Sequence, residues 1–340
     1  MFIPKRIIFS KNSLDYDIGK EIYTKFKDNP NIEIIHLTSN KIMQHIPGND
    51  LPSQYKEGKK TLVVSIKSSF KFQSCKPSAH YQLPLVSGCI GQCEYCYLNT
   101  MLGDKPIVKI YANINDILNQ AQKYIDERLP DITIFEGAAT SDPIPVEPYT
   151  HSLEKCIEFF GKSENGRFRF VTKYNDVESL LKLDHNNHTE IRFSINTNSI
   201  INKYEHFTAS QGKRIDASIE LAKAGYPVGY LIAPVFIYPN WKEEYHDLLL
   251  QLSKNIPDNL RFPVTFEIIS HRYTTIAKSR IQLVFPDTQL PMNEIDRKFK
   301  YGQFGYGKYV YQKESIDEIK QFFKKEIEEL FINKEIKYII

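Results

Sequence analysis

From about residue 81 the sequence alternates short apolar runs with amphipathic stretches, and this rhythm restricts the chain to folds built from repeated βα units. Leu83-Pro84-Leu85-Val86 leads into a cysteine-rich segment. Helical spacing follows at 114–127, 152–160, 177–183, 214–224 and 245–252, with strand-like runs at 132–135, 168–173, 191–195, 228–233 and 263–269. Repeated βα units predict a parallel sheet, and about six units are fewer than the eight of a full barrel. The predicted class is therefore α/β, a partial (β/α)6 barrel. Residues 1–78 read as a smaller α/β extension, with a helix over 16–26, strands at 32–35 and 61–66, and a loop at Pro47-Gly48-Asn49-Asp50. Residues 79–270 carry the barrel series. Residues 271–340 differ. Their Gly-, Tyr- and Lys-rich stretch 296–313 predicts a hairpin, and the capping box Ser315-x-x-Glu318 predicts a helix with Ile316, Ile319, Phe322, Phe323, Ile327 and Leu330 on one packed face.

Composition narrows the class. Hydrophobic residues make up 41% and charged residues 25% of the 340, an ordinary globular balance. No apolar run approaches the roughly 20 residues that cross a bilayer. The N-terminal run Ile7-Ile8-Phe9 is too short for a signal peptide and lacks a small-residue cleavage site. A cytoplasmic protein with no membrane partner is expected. The formal charge of +3 is weakly basic, so nucleic-acid binding must rest on local clustering of cations. Five cysteines, three of them within eight positions, do not make a disulfide framework; metal or redox chemistry explains them better.

Those three are Cys89, Cys93 and Cys96, spaced C-x3-C-x2-C directly after the first strand of the series. Three thiolates can hold three irons of a 4Fe–4S cluster and leave the fourth iron open. An open iron can bind the amino and carboxylate groups of S-adenosylmethionine, a cofactor of radical chemistry. The alternative is a zinc site completed by Cys75, His80 or His151. Structural zinc prefers paired C-x2-C knuckles and four ligands, and no second pair exists here. Cys75 and Cys156 lie outside the motif and read as small packing residues.

Longer blocks resemble the spore photoproduct lyase family of radical S-adenosylmethionine enzymes, which reverse a UV-induced thymine dimer in spore DNA. They include Lys76-Pro77-Ser78-Ala79, Cys96-Tyr97-Leu98, Thr140-Ser141-Asp142, Thr150-His151-Ser152 and Arg169-Phe170-Val171-Thr172-Lys173-Tyr174. Arg192-Phe193-Ser194-Ile195-Asn196, His271-Arg272 and Gly305-x-Gly307-Lys308-Tyr309-Val310-Tyr311 extend them. The resemblance spans nearly the whole chain and implies the radical S-adenosylmethionine type of partial barrel. It also implies that Ser141, Lys173 and Ser194 hold the polar end of S-adenosylmethionine, lysine acting as a point charge for the carboxylate. Tyr95 and Tyr97 would flank the adenosyl group and assist radical return. Damaged double-stranded DNA, an electron donor such as flavodoxin or ferredoxin, and a monomeric state complete the expectation.

One departure matters most. In that family the residue before Thr-Ser-Asp is a cysteine that donates a hydrogen atom to the substrate radical, and here it is Ala139. A methyl group has no weak bond to give. Three readings stay open: an inactivated Cys→Ala form, a paralogue with another donor such as Tyr97, or a lesion reversed by a redox-neutral rearrangement. The unusual Pro143-Ile144-Pro145-Val146-Glu147-Pro148 favours a natural paralogue, and the expected lesion widens to a related photoproduct such as the Dewar isomer of a (6–4) dimer.

Arg297-Lys298-Phe299-Lys300-Tyr301 and Phe304-Gly305-Tyr306-Gly307-Lys308-Tyr309 interleave basic and aromatic residues. Cations can neutralise phosphates while rings stack on bases. By resemblance this hairpin, with His271 and Arg272, faces the DNA, and Gln303 replaces a family arginine at its tip. Two competing readings are a lesion-binding homologue without catalysis and a radical enzyme acting on a small molecule or RNA. Deoxyadenosine production separates the first, DNA affinity the second.

Overall fold

The computed structural model describes residues 2–39, 41–257, 259–301 and 307–340. The chain forms two compact units, Met1–Gln92 with Met101–Glu190, and Cys93–Thr100 with Ile191–Ile340. Among the described residues no helix is long and apolar enough to cross a membrane.

In the first unit Thr61–Ser65, with Leu62, Val63 and Val64 wholly buried, takes the centre of a five-stranded sheet, as a strand buried on both faces should. The order is Glu33–His36, Arg6–Phe9, Thr61–Ser65, Val108–Tyr111 and Val86–Ser87. The first four are parallel. Val86–Ser87 is antiparallel, with Val86 opposite Ile110 and Ser87 opposite Lys109. The segment before the cysteines, expected to open the βα series, thus edges the N-terminal sheet, which continues past residue 78. Pro84 has no N–H for a ladder, and Leu85 N bonds back to Leu83 O at 3.0 Å, so the chain turns there. The series opens earlier, at Ala79–Gln82, which runs parallel to Thr133–Glu136 and through it to Gly166–Thr172. Ser74–Cys75 pairs antiparallel along Ala79–Gln82. The helix Ile114–Asp126 buries Ile114, Ile117, Leu118, Ala121 and Ile125 on one stripe. The helix expected at 177–183 is a single 3-10 turn, Glu178–Leu180, because so short a segment has little helical stability of its own.

In the second unit the strand Thr189–Ile195, from Ile191 onward, runs parallel to Val228–Val235, Val264–Ser270 and Lys334–Ile339 in that order. Lys334–Ile339 is a strand that the alternation did not announce. A buried ion pair reaches across Val228–Val235 to tie strands two apart in the sheet: Arg192 donates to Glu267 at 2.9 and 3.1 Å, and the Tyr338 hydroxyl adds a bond of 2.9 Å. The C-terminal helix is Lys313–Leu330. It starts before the expected capping box, with Gln312 as its cap residue, and buries Ile319, Phe323 and Ile327.

The expected hairpin is present as Arg297–Tyr301 antiparallel to Gly307–Tyr311. At its base two residues expected to face DNA are buried. Arg297 is only 7% exposed and His271 only 2%. The Arg297 guanidinium lies 3.6 Å from the Tyr311 ring centroid and donates to the His271 carbonyl at 2.9 Å, to His271 Nδ1 at 3.2 Å and to the Pro291 carbonyl at 3.0 Å. His271 itself packs on Phe236, ring centroids 4.4 Å apart. Its partners rather than strand alternation draw Arg297 inward, since Phe299 and Tyr301 on the same face are exposed. Arg297 anchors the hairpin rather than lining its open side.

Burial, and secondarily the Arg297 charge, lower the His271 pKa to about 3. Above about 6.5 the ring is neutral in folded and unfolded chains alike, and it costs nothing. As pH falls below that value the unfolded chain takes a proton that the fold refuses, so stability drops by about 1.4 kcal/mol per pH unit until about 3. Urea unfolding at pH 7 and pH 5 should therefore show a loss in the parent that is smaller by about 2 kcal/mol in His271→Gln. Equal losses in the two proteins would show that His271 is not a buried neutral ring.

Candidate active site

The cysteine loop leaves the edge strand Val86–Ser87 through Gly88, whose φ is +83°. A Cβ there would lie 2.0 Å from the Ile107 carbonyl oxygen, so only glycine fits. Gly88 N donates to Thr140 O at 3.0 Å and Gly88 bridges in parallel to Ser141. Backbone bonds therefore fix the start of the cysteine loop against the loop that follows Thr133–Glu136 and carries Ala139 and Ser141. Ser141 Oγ is buried and has no hydrogen-bond partner among the described residues. A buried hydroxyl left in this state calls for a polar ligand.

The next strand ends under firm control. Asp142 accepts from the Thr172 hydroxyl at 2.9 and 3.1 Å and from Lys173 N at 2.8 Å. Lys173 thus emerges immediately after Gly166–Thr172, where βα folds place ligand contacts. Cys89 Sγ accepts from Gly91 N at 3.3 Å and lies 3.9 Å from the Tyr174 hydroxyl. Cys75 is half-buried on its short strand, opposite Ala79.

In the second unit Cys93 is buried and Cys96 half-buried. Asn99 holds their turn: its side-chain amide donates to the Cys93 and Glu94 carbonyls at 3.1 and 3.2 Å, and its N–H to the Cys96 carbonyl at 3.0 Å. Glu94 accepts from the Thr288 hydroxyl and pairs with His206 Nε2 at 2.9 Å. Tyr95 donates its hydroxyl to Glu205, which pairs with the fully buried Arg214 at 2.7 Å. Arg214 also donates to the Ser194 carbonyl at 2.9 Å and the Ala209 carbonyl at 2.8 Å. Burial first, and the Glu205 charge second, hold the Tyr95 phenol well above its usual pKa, so it stays protonated. Ser194 is at the C-terminal end of its strand. Tyr97 is 54% exposed.

The five cysteines form no disulfide. Among the described residues no three His, Cys, Asp or Glu side chains converge as ligands of one ion; thiolates on separate corners of a cubane need not. Cys156 is wholly buried, and burial pushes its thiol pKa up, which makes it a packing residue. On the hairpin, Lys298 and Lys300 are exposed and Tyr301 is 72% exposed. Lys300 sits directly opposite Lys308, whose pKa is lowered by burial and then by Arg272 and Lys300. Like charges facing across a ladder repel, and an anion placed there relieves them. Gln303 and Tyr306 lie outside the described residues. Sequence reasoning missed Asn99, Glu205 and Arg214: Asn99 closes a turn that no periodic pattern marks, and the Arg214–Glu205 pair reaches Tyr95 across 110 residues.

The protein-family model described as Spore photoproduct lyase matches residues 2–340. The chain is 54% identical to the spore photoproduct lyase of Clostridium acetobutylicum, over 99% of this chain and 98% of that one. It is 41% identical to that of Bacillus subtilis, again over 99% and 98%. A solved spore photoproduct lyase, a double variant with one cysteine changed to alanine and one serine changed to cysteine, has bound AdoMet and dinucleoside spore photoproduct; it matches with a TM-score of 0.94 at 43% identity, over 100% of this chain and 99% of that one. The fold class is the expected one, and on both sequence and structure the chain belongs to the spore photoproduct lyase family.

Proposed function

We propose that this chain is a radical S-adenosylmethionine lyase that returns the spore photoproduct in DNA to two thymines, and that Cys75 is its hydrogen donor. The observation that carries the first part is the full-length match to spore photoproduct lyases, with all three cysteines of the C-x3-C-x2-C motif in place. Cys89, Cys93 and Cys96 would ligate three irons of the cluster, and Lys173, Ser141 and Ser194 would take the polar end of S-adenosylmethionine. The orphan hydroxyl of Ser141 fits that role. Cluster and S-adenosylmethionine together supply a 5′-deoxyadenosyl radical that abstracts hydrogen from the lesion. An electron donor of the flavodoxin or ferredoxin class would serve the cluster. Residues 79–270 carry these positions and residues 271–340 the DNA-facing hairpin.

The thymine-centred radical left after bond cleavage needs a hydrogen atom from a donor in contact, roughly 3–3.5 Å away. Ala139 has none to give. The solved double variant that binds the spore photoproduct pairs a lost cysteine with a gained one, and its two positions are separated by the same number of residues as Cys75 and Ala139. In this chain the strand bearing Cys75 pairs with Ala79–Gln82, which pairs with the strand leading to Ala139. The Cys75 thiol would give its hydrogen atom to the thymine and become a thiyl, the Tyr97 and Tyr95 phenols would pass a hydrogen atom back to it, and the tyrosyl radical so formed would recover one from 5′-deoxyadenosine. This assignment replaces simple packing as the role of Cys75 and removes the reason to expect a lesion other than the spore photoproduct.

Incubation of reduced protein with S-adenosylmethionine and dinucleoside spore photoproduct tests the donor. Cys75→Ala should cut clean dithymidine product at least tenfold and divert turnover to aborted adducts, and adding Ala139→Cys should restore it. Undiminished clean repair by Cys75→Ala would sink the assignment.

The hairpin reading has its own test. Neutralising Lys298, Lys300 and Lys308 together should weaken damaged-DNA binding and lower the salt slope by about 0.9 for each phosphate no longer neutralised. An unchanged slope would remove these lysines from the DNA interface.

A further inference from the structure

Lys59 closes the helix Leu51–Lys59, next to Lys60 and in a lysine-rich stretch whose sequence looks solvated. Its side chain is nevertheless only 3% exposed. Gly58 allows the approach, since a Cβ there would lie 2.8 Å from the backbone of Lys105 and Pro106. Lys59 Nζ donates to the Cys89 carbonyl at 2.7 Å and to the Gly91 carbonyl at 2.8 Å, and lies 5.3 Å from the Tyr55 ring centroid. Those carbonyls belong to the two peptides flanking the one whose N–H, on Gly91, meets Cys89 Sγ. Lys59 therefore clamps the loop on both sides of the hydrogen bond to the sulfur.

No carboxylate pairs with Lys59 among the described residues. A buried ammonium without a counter-charge is unfavourable, and an anion nearby resolves it. A cluster held by three thiolates is such an anion, and it gains one more negative charge on reduction. We propose that Lys59 is a positioning residue that supplies the counter-charge of the cluster loop, holding Cys89 for ligation and favouring the reduced cluster. Hydrogen bonds to sulfur and nearby charge are the levers that set the potentials of such clusters. The inference rests on the cluster assignment made above.

The test compares the parent with Lys59→Met and with Lys59→Gln, which keeps a donor without the charge. All are reconstituted anaerobically, assayed for iron and sulfide, and titrated electrochemically by electron paramagnetic resonance. With the circular dichroism of the parent retained, either variant should show a reduced-to-oxidised ratio about tenfold lower at a given potential, equal to about 59 mV for one electron. Amide exchange at residues 89–92 of the cluster-free protein should quicken at least tenfold. Loss of iron from a folded variant would equally support the clamp. Parent-like potential, iron content and exchange in both variants would overturn it. A variant that does not fold leaves the other to decide on the same criteria. A parent that binds no iron refutes the cluster assignment instead.

Discussion

The short ladder between Val86–Ser87 and Val108–Tyr111 fixes where the cysteine loop begins, and the arrangement of the first unit follows from it. Gly88, locked at positive φ against Ile107, passes the chain to Cys89 and at the same point bonds to Thr140 and bridges Ser141. One backbone junction thus joins the N-terminal sheet, the cysteine loop and the loop bearing Ala139. Because backbone atoms make the junction, the side chain at 139 can change without moving Ser141. An alanine at 139 is therefore compatible with the backbone that places Ser141.

The second unit depends on side chains instead. Arg214 is saturated by Glu205, Thr208 and the carbonyls of Ser194 and Ala209, and Glu205 spends its remaining oxygen on Tyr95. A buried polar network with every member satisfied is rigid, and a partly broken one is costly. It sets the Tyr95 phenol and the Ser194 backbone from one cation, and it keeps the phenol in the protonated form that can exchange a hydrogen atom.

The βα series was legible because apolar alternation is local, and the cysteine motif because its three thiols lie within eight positions. The same property limits what could be read. Lys59 is 30 residues from Cys89, and Tyr95 is 110 from Glu205; neither pairing leaves a periodic trace. The burial of Arg297 was not legible, because its partners His271 and Pro291 lie outside the basic–aromatic stretch that drew attention to it. The edge role of Val86–Ser87 was hidden for another reason: a two-residue strand after Pro84 has the same apolar content whichever sheet it joins. Cys75 read as packing, since its strand neighbours become informative only once Ala79–Gln82 is paired to the strand leading to Ala139.

The central claim is that the missing thiol at 139 changes the donor and not the lesion. The most direct measurement gives the reduced, reconstituted protein S-adenosylmethionine and, in parallel, DNA carrying either one spore photoproduct or one Dewar isomer of a (6–4) dimer, and follows repaired thymines by mass spectrometry. The account predicts restoration of adjacent thymines from the spore photoproduct and an untouched Dewar isomer. Repair of the Dewar isomer with the spore photoproduct left intact would contradict it.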